Sequence, residues 1–301
     1  MDNLCVMGTL QRIRAFTITN GAVFGISAMI HFYRLPFIVS TLVRNLSFLF
    51  LISTSAYFKP AIGGTTRDKG PGMLDMPRFM LYFITSLGIQ SFTEAVCTKA
   101  FVSSSVLHHE YTSFIDSFIA RFIDSFIAAI VIILEFVLKS FAYEVVFDFF
   151  HYWMHRSFHR IPALYKFHKL HHSFLTPTAL CTFCQHPLDL ILTNSVPSII
   201  ALAIVFSAIP LSSFEYTLLL SYQTFVEIAG HAGVETHASS FPQCRAIPDI
   251  LGISLRSNDH DLHHSNLSVR SCNFSKRFIL WDKVFGTYIN KVQKNHDTKI
   301  I

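Results

Sequence analysis

Three histidine motifs in the second half of this 301-residue chain have spacings suited to metal binding. Residues three or four positions apart lie on one face of a helix, so each motif would direct its imidazoles to one side. The motifs are HxxxH at His155 and His159, HxxHH at His168, His171 and His172, and HxxHH at His260, His263 and His264. Imidazole binds iron, zinc and copper, and a single site uses about four ligands. With His231 there are too many histidines for one ion, so the pattern predicts two.

Three further histidines have less direct interpretations. His151, one helical turn before His155, is interpreted as a packed or supporting residue, and His186 as a structural residue at a helix end. His237 stays open as an additional ligand. A pH-sensing cluster is the rival chemistry, but it would not require regular spacings of three and four. Carboxylates are expected to orient the ligating imidazoles, and the candidates are Asp148, Asp259 and Asp261.

The composition is that of a membrane protein. Hydrophobic residues make up 51% of the chain and charged residues only 14%, where soluble domains carry about 25%. The net charge of +5 is spread along the chain and forms no basic stripe, which excludes a nucleic-acid partner. The six cysteines form no secreted-type disulfide framework. Basic residues near the C-terminus favour a cytoplasmic position for that end.

Apolar segments predict an all-α integral membrane protein. Four regions could lie in a bilayer, at residues 16–32, 36–58, 79–96 and 114–153. A fifth, at 188–229, contains Pro197 and Pro210, and proline usually ends or kinks a helix. It is therefore predicted to form a hairpin of two short helices, at 197–209 and 211–229. Glycine, proline and charged residues predict a loop at residues 60–77.

The histidine motifs and their order resemble the membrane-bound fatty acid hydroxylase/sterol desaturase superfamily. That pattern is an Asp, an aromatic pair and HRxxH, then HxxHH, a further histidine and a second HxxHH. Here it reads Asp148, Tyr152-Trp153, HRSFH at 155–159, HKLHH at 168–172, His231 and HDLHH at 260–264. HPLD at 186–189 and NFSKRFILWDKVFGTY at 273–288 extend the resemblance, which covers about residues 144–288. The GHAG around His231 departs from the HSGY or HDGE forms of sterol-acting members.

The resemblance implies a centre of two iron ions (Fe²⁺) that uses O₂ to oxidise a lipid taken from the bilayer. Electrons would come from NAD(P)H through a separate cytochrome b5 or reductase. It also implies three parts: transmembrane helices and loops in residues 1–135, a catalytic domain in 136–290 and a tail in 291–301. The implied iron ligands are His155, His159, His168, His171, His172, His231, His260, His263 and His264, and all except His231 are also expected to be essential for catalysis.

Several functions remain open at this stage. A sterol is the favoured substrate, as for a C-4 methyl oxidase, C-5 desaturase or side-chain hydroxylase. The alternatives are a fatty acyl or sphingoid hydroxylase, a squalene-type epoxidase and a non-enzymatic membrane metal-binding protein. We expect an endoplasmic reticulum membrane protein with its helical, histidine-rich di-metal domain on the cytosolic side. The sequons at Asn266 and Asn273 should then stay without glycans.

Overall fold

The fold is a bundle of helices. The computed structural model describes residues 9–54, 76–102, 126–173, 179–231, 240–265 and 272–289. Within these ranges there is no β-strand, and an isolated antiparallel bridge joins Ser254 to Phe278. The predicted all-α class is therefore confirmed. The helices are α1 (Thr9–Phe32), α2 (Phe37–Thr54), α3 (Met76–Phe101), α4 (Phe126–Arg160), α5 (Pro162–His168), α6 (Pro187–Phe206), α7 (Ser213–Gly230), α8 (Ala246–Ile250), α9 (Ser257–Ser265) and α10 (Leu280–Val284), with short 3₁₀ turns at His171–Ser173 and Ala179–Phe183.

Helix α7 lies at the centre of the bundle. It packs against α1 and α2, while α2 also packs against α3, and α4 runs along α6. Ser212 and Glu215 form a reciprocal capping box at the start of α7, which satisfies the free N–H groups there. Phe225 of α7 contacts Phe48 of α2 edge to face, with ring centroids 5.7 Å apart. This packing fixes the far end of α7, where His231 follows.

Three helices among the described residues are long and apolar enough to cross a membrane. They are Ile13–Phe32 in α1, Phe37–Thr54 in α2 and Pro187–Phe206, which is α6. The first two correspond to the predicted regions at 16–32 and 36–58. The third predicted region lies in α3 and the described part of the fourth in α4, and neither helix is among these three. The predicted loop at 60–77 lies outside the described residues as far as residue 75.

Helix α6 corrects the predicted hairpin. It begins at Pro187, ten residues before the predicted start, and continues through Pro197 to Phe206. A π-helical turn at Ile191–Ser195 precedes the proline, which sits in the first turn of the following α-helical segment, where a missing N–H does least harm. Pro210, by contrast, does lie in a break, between α6 and α7. The π turn is therefore what allows the helix to pass a proline without ending.

His151 supplies the hydrogen bond that Pro197 cannot donate. In a regular helix the Thr193 carbonyl would accept a hydrogen bond from the N–H of residue 197, which proline lacks. Instead, the Nδ1 of His151 lies 2.6 Å from the Thr193 carbonyl oxygen. Because a carbonyl can only accept, His151 Nδ1 carries the proton and donates. His151 thus joins α4 to α6, as a supporting residue would.

Helix α4 is long enough to carry the first histidine motif away from a bilayer. It has 35 residues, which gives a length of about 52 Å at 1.5 Å per residue. The hydrocarbon core of a bilayer is only ~30 Å thick. One end of α4 can therefore lie in lipid while the other holds His155 and His159 outside it. The helix runs unbroken through the predicted domain boundary between residues 135 and 136, and the three-part division itself stays a prediction.

We expect His151→Phe to lower the free energy of unfolding by about 1–3 kcal/mol, because the buried Thr193 carbonyl loses a donor. Pro197→Ala restores a backbone N–H near that carbonyl, so the same His151→Phe change should cost less in the Pro197→Ala background. Thermal unfolding of the four proteins in detergent measures this coupling. Strictly additive effects would show that the two residues do not share the carbonyl.

Candidate metal centre

Nine histidines come together in two groups, and they are the nine that the motifs predicted as ligands. In each group one nitrogen per imidazole lies within 4.8 Å of the others, so each group could hold a metal ion. Seven of the nine are buried, and His159 and His260 are partly exposed. Group 1 consists of His155, His159, His168, His172 and His263, and group 2 consists of His171, His231, His260 and His264.

The ends of four helices bring these imidazoles together. His155 and His159 lie one turn apart at the end of α4, and His168 ends α5. The 3₁₀ turn that follows α5 carries His171 and His172. His231 is the C-cap of α7, and α9 carries His260, His263 and His264.

Each HxxHH motif supplies both groups. In the first motif, His168 and His172 belong to group 1 and His171 to group 2, and in the second motif His263 belongs to group 1 and the outer pair to group 2. In a helix, residue i+4 lies about 40° from residue i, whereas residue i+3 lies about 60° away on the other side. In α9 this geometry directs His263 away from His260 and His264. The first motif divides in the same way, although His171 and His172 lie in a 3₁₀ turn. The rings of His172 and His264 stack between the two groups at 4.7 Å.

Backbone carbonyls fix the tautomer of several ligands. His155 Nδ1 donates to the Phe274 carbonyl and His263 Nδ1 to the Cys272 carbonyl, both at 2.8 Å. His231 Nδ1 donates to the Glu227 carbonyl at 2.8 Å. Because the proton is on Nδ1 in each ring, Nε2 of the neutral imidazole presents a lone pair.

The Nε2 atoms of each group converge at distances that a shared metal ion would suit. In group 1, His172 Nε2 lies 3.0 Å from that of His168 and 3.1 Å from that of His263. In group 2, His260 Nε2 lies 3.1 Å from His264 Nε2 and 3.3 Å from His231 Nε2. Two lone pairs repel at such distances unless a proton or a metal ion lies between them. The donor set therefore fits an imidazole-binding metal such as iron.

The histidines are not doubly protonated at neutral pH. Burial, reinforced by neighbouring imidazoles, holds the pKa of His168, His171 and His172 well below 6.5. Burial also lowers the pKa of His263 to about 4. The imidazoles are thus neutral and able to donate to a metal.

Asp189 is the carboxylate that orients a ligand, and the sequence analysis did not assign it this role. Its Oδ2 lies 2.8 Å from His168 Nδ1, and its side chain is almost fully buried. The only signal in the sequence was its place in HPLD, which was noted as part of the family resemblance. A carboxylate on the outer nitrogen of a metal-binding histidine fixes the ring and makes it a better donor.

The predicted orienting carboxylates act differently. Asp148 contacts no ligating histidine directly and accepts the backbone N–H groups of Lys276, Arg277 and Phe278 at 2.7, 2.9 and 3.0 Å. It therefore holds the segment whose Phe274 carbonyl binds His155. Asp259 accepts the N–H of Arg256 at 3.0 Å, and the side chain of Asp261 lies outside the described residues.

The three histidines left open are also accounted for as far as the structure describes them. His151 belongs to neither group. His186 caps the start of α6, where its Nδ1 accepts a hydrogen bond from the N–H of Leu188 at 3.2 Å. His237 lies outside the described residues.

Candidate membrane helices and two buried groups of neutral imidazoles define a class, that of membrane proteins with a polyhistidine metal-binding centre. Residues 140–287 match the family model for fatty acid hydroxylases. This part of the chain belongs to the fatty acid hydroxylase family, and the resemblance noted from the motifs is confirmed.

The relatives act on several kinds of lipid. The fatty acid hydroxylase vlmA of Lecanicillium sp is 27% identical over 51% of this chain and 42% of its own length. The C-4 methylsterol oxidase erg25 of Schizosaccharomyces pombe is 30% identical over 46% and 43%. Sphinganine C4-monooxygenase 2 of Arabidopsis thaliana is 29% identical over 48% and 52%. The chain thus spans about half the length of the curated relatives it matches, and no solved structure matches it.

We expect Asp189→Ala to weaken iron binding by about 10- to 100-fold, because His168 loses the acceptor that orients it. Asp189→Asn keeps an acceptor oxygen and should weaken binding less. Titration of the purified protein with an iron chelator measures both effects. Asp249→Ala is the matched control, since Asp249 forms an exposed pair with Arg245 far along the chain from any ligand. Equal affinities of Asp189→Ala and the unchanged protein would refute the orienting role.

Proposed function

We propose that the protein is an iron- and O₂-dependent membrane oxygenase that hydroxylates or desaturates a lipid, with a sterol as the first candidate. The observation that carries the proposal is the convergence of nine imidazoles in two groups, at the ends of helices packed with candidate membrane spans. Iron held by both groups would supply the activation of O₂ that oxidation of an unactivated C–H bond requires.

The protein's own residues prepare this chemistry. The carbonyls of Phe274 and Cys272 hold His155 and His263 in the tautomer that directs Nε2 inward. Asp189 does the same for His168. Burial of most ligands excludes water from the centre, which strengthens its electrostatic interactions and protects reactive species from side reactions.

The relatives support two classes of substrate. A sterol is supported by the C-4 methylsterol oxidase of Schizosaccharomyces pombe and by methylsterol monooxygenase 2-2 of Arabidopsis thaliana, which is 26% identical over 146 residues. The second candidate, a sphingoid or fatty acyl chain, is supported by the sphinganine C4-monooxygenase and by the fatty acid hydroxylase vlmA. Squalene-type epoxidation and a non-enzymatic role draw no support from these relatives.

The cellular setting belongs to the same proposal. Electrons would come from NAD(P)H through a separate cytochrome b5 or reductase, and the protein would lie in the endoplasmic reticulum membrane. Its histidine groups would face the cytosol, because positive residues favour the cytoplasmic side and lysines cluster near the C-terminus.

Double substitution of His171 and His263 by Ala should abolish turnover, because it removes one ligand from each group. We expect iron-loaded membranes supplied with ¹⁸O₂, NADH and cytochrome b5 to convert a labelled methylsterol, and the double variant to form at least about 100-fold less product. Mass spectrometry of the products, with labelled sphinganine in a parallel reaction, separates the two substrate classes.

His186→Asn serves as the control for this experiment, because Asn is also a good helix N-cap and His186 lies outside both groups. It should keep the iron content and the product yield. Undiminished turnover in the double variant would exclude the proposed centre, and the absence of any oxidised lipid from the unchanged protein would exclude the proposed activity.

We expect Asn266 to carry no glycan in cells, since the cytosolic side is not glycosylated. Asn266 is the informative sequon, because Asn273 is only 1% exposed and its amide donates to the Asp259 carbonyl at 2.9 Å. Electrophoretic mobility before and after endoglycosidase treatment, compared with Asn266→Gln, measures this. A mobility shift that disappears in Asn266→Gln would place the histidine groups on the lumenal side.

A further inference from the structure

A polar cavity of about 130 Å³ lies inside the bundle, apart from the two histidine groups. Residues of α2, α3, α4, α6 and α7 line it, together with Arg277 and the segment before α6. A water molecule needs roughly 10–15 Å³ of such space, so the cavity has room for several water-sized groups. It could hold the polar end of a lipid but not a whole one.

Amide and hydroxyl side chains are interspersed with apolar ones in the wall of this cavity. Two of the helices that contribute them, α2 and α6, are candidate membrane spans. Polar residues inside membrane segments are costly and mark functional sites by default. The amide side chains in the wall are Asn45, Gln90, Gln185, Asn194 and Gln223, and the hydroxyl side chains include Thr93, Thr182, Ser195, Ser198 and Thr224.

The charges in the wall are balanced. Each charged side chain that lines the cavity has an ion-pair partner: Arg44 with Glu94 (Nη1–Oε1 3.3 Å), Arg277 with Glu144 (Nε–Oε2 2.9 Å) and Glu227 with Lys276 (Oε2–Nζ 2.7 Å). A charged ligand would find no unpaired charge to compensate its desolvation. The cavity therefore favours a neutral group that forms hydrogen bonds.

Several polar atoms of the lining residues have no hydrogen-bond partner among the described residues. They are Nε of Arg44, Oγ1 of Thr182, Oε1 of Gln185 and Nη1 of Arg277, on residues that are 3%, 5%, 8% and 3% exposed. Leaving such a group buried and unsatisfied costs about 1–3 kcal/mol. Together they offer one acceptor, one hydroxyl and two donors to a ligand hydroxyl or amide.

The cavity reaches the residues that support the metal centre. Glu227 lines it, and the Glu227 carbonyl accepts the hydrogen bond from His231 of group 2. Phe147 also lines it and stacks on His151 at 5.8 Å, and the His151 ring lies 5.2 Å from that of His155 of group 1. A lipid held by its polar end in the cavity would therefore have its neighbouring carbons near the histidine groups.

We propose that this cavity binds the neutral hydroxyl or amide group of the lipid substrate, which makes the substrate a lipid alcohol or amide rather than a hydrocarbon or a free carboxylate. This inference rests on the proposed function and narrows its substrate class. Recognition by hydrogen bonds also gives strong discrimination, because an analogue that lacks the hydroxyl leaves buried polar groups unpaired.

Gln185→Leu tests the proposal with little risk to the fold, because Gln185 Oε1 has no hydrogen-bond partner among the described residues to lose. Binding to the purified iron-loaded protein is measured for a labelled 3-hydroxysterol and the same sterol without its hydroxyl, and for sphinganine and its deoxy analogue. We expect the unchanged protein to prefer one hydroxylated lipid over its analogue by at least about tenfold, which is one good hydrogen bond. Gln185→Leu should bind both members of that pair equally well, at unchanged iron content.

Gln243→Leu is the matched control, since Gln243 is also buried with an unpartnered Oε1 but does not line the cavity. It should keep the preference. Thr182→Val is a second test variant, for use if Gln185→Leu proves unstable, and it should also weaken the preference. A preference that survives both cavity variants is expected if the cavity holds only water, and it would overturn the inference. Equal binding of each hydroxylated lipid and its deoxy analogue by the unchanged protein would also overturn it.

The binding measurement separates this inference from the proposed function. A hydroxyl preference that Gln185→Leu abolishes, in a protein that never oxidises lipid, would support the cavity as a lipid subsite and reject the oxygenase. Oxidation of the deoxy analogue as efficiently as of the hydroxylated lipid would support the oxygenase and reject the subsite.

Discussion

The structure depends on the mutual approach of unprotonated imidazole nitrogens. Facing lone pairs about 3 Å apart repel each other, so a buried cluster of neutral imidazoles costs free energy unless a proton or a cation lies between the nitrogens. Its geometry must therefore be imposed from outside, by acceptors that hold the Nδ1–H of several of the rings. For His155 and His263 those acceptors are backbone carbonyls at residues 274 and 272. The centre is only as rigid as that short segment.

Two buried carboxylates make the segment rigid. Asp282 accepts the N–H groups of Phe274 and Ser275, both at 2.8 Å, and Asp148 accepts those of the next three residues. Asp282 comes from α10 and Asp148 from α4, so the segment is tied both to its own end of the chain and to the helix that carries His155. Removing either carboxylate would loosen two ligands at once without touching a histidine.

The sequence predicted which histidines gather but not how they divide. Spacings of three and four identified all nine members of the two groups, because helical periodicity alone places such residues on one side. The division of each HxxHH between two groups depends on how α9 faces the turn after α5, which no local pattern contains. The same limit applied to carboxylates: Asp148 lies two helical turns before His155 in sequence yet binds backbone N–H groups, while Asp189 reaches His168 from another helix. The cavity could not be predicted from the sequence for a related reason, because its lining residues are spread along the chain from Arg44 to Arg277.

The predicted break in α6 shows what propensity arguments leave out. Proline at 197 indicated an interruption, but the π turn before it lets the helix continue and turns its face toward the centre; π turns occur often at functional sites. Within this stretch Asp189 holds His168, the Thr193 carbonyl holds His151, and Asn194 accepts from Lys276 Nζ at 2.5 Å. Three separate parts of the chain are thus anchored to six consecutive positions of one helix.

Charge balance explains why a carboxylate lies next to a histidine of each group. Imidazoles are neutral, so a divalent cation bound by them keeps its full charge in a buried, low-dielectric region where an uncompensated charge is costly. Each group has one carboxylate next to a ligand: Asp189 at His168 Nδ1, and Glu227, whose Oε1 lies 3.8 Å from His231 Nδ1. Glu227 also pairs with Lys276, so its charge is shared between the second group and the cavity wall. A change at Glu227 would alter both, which makes it the structural link between the second histidine group and the cavity.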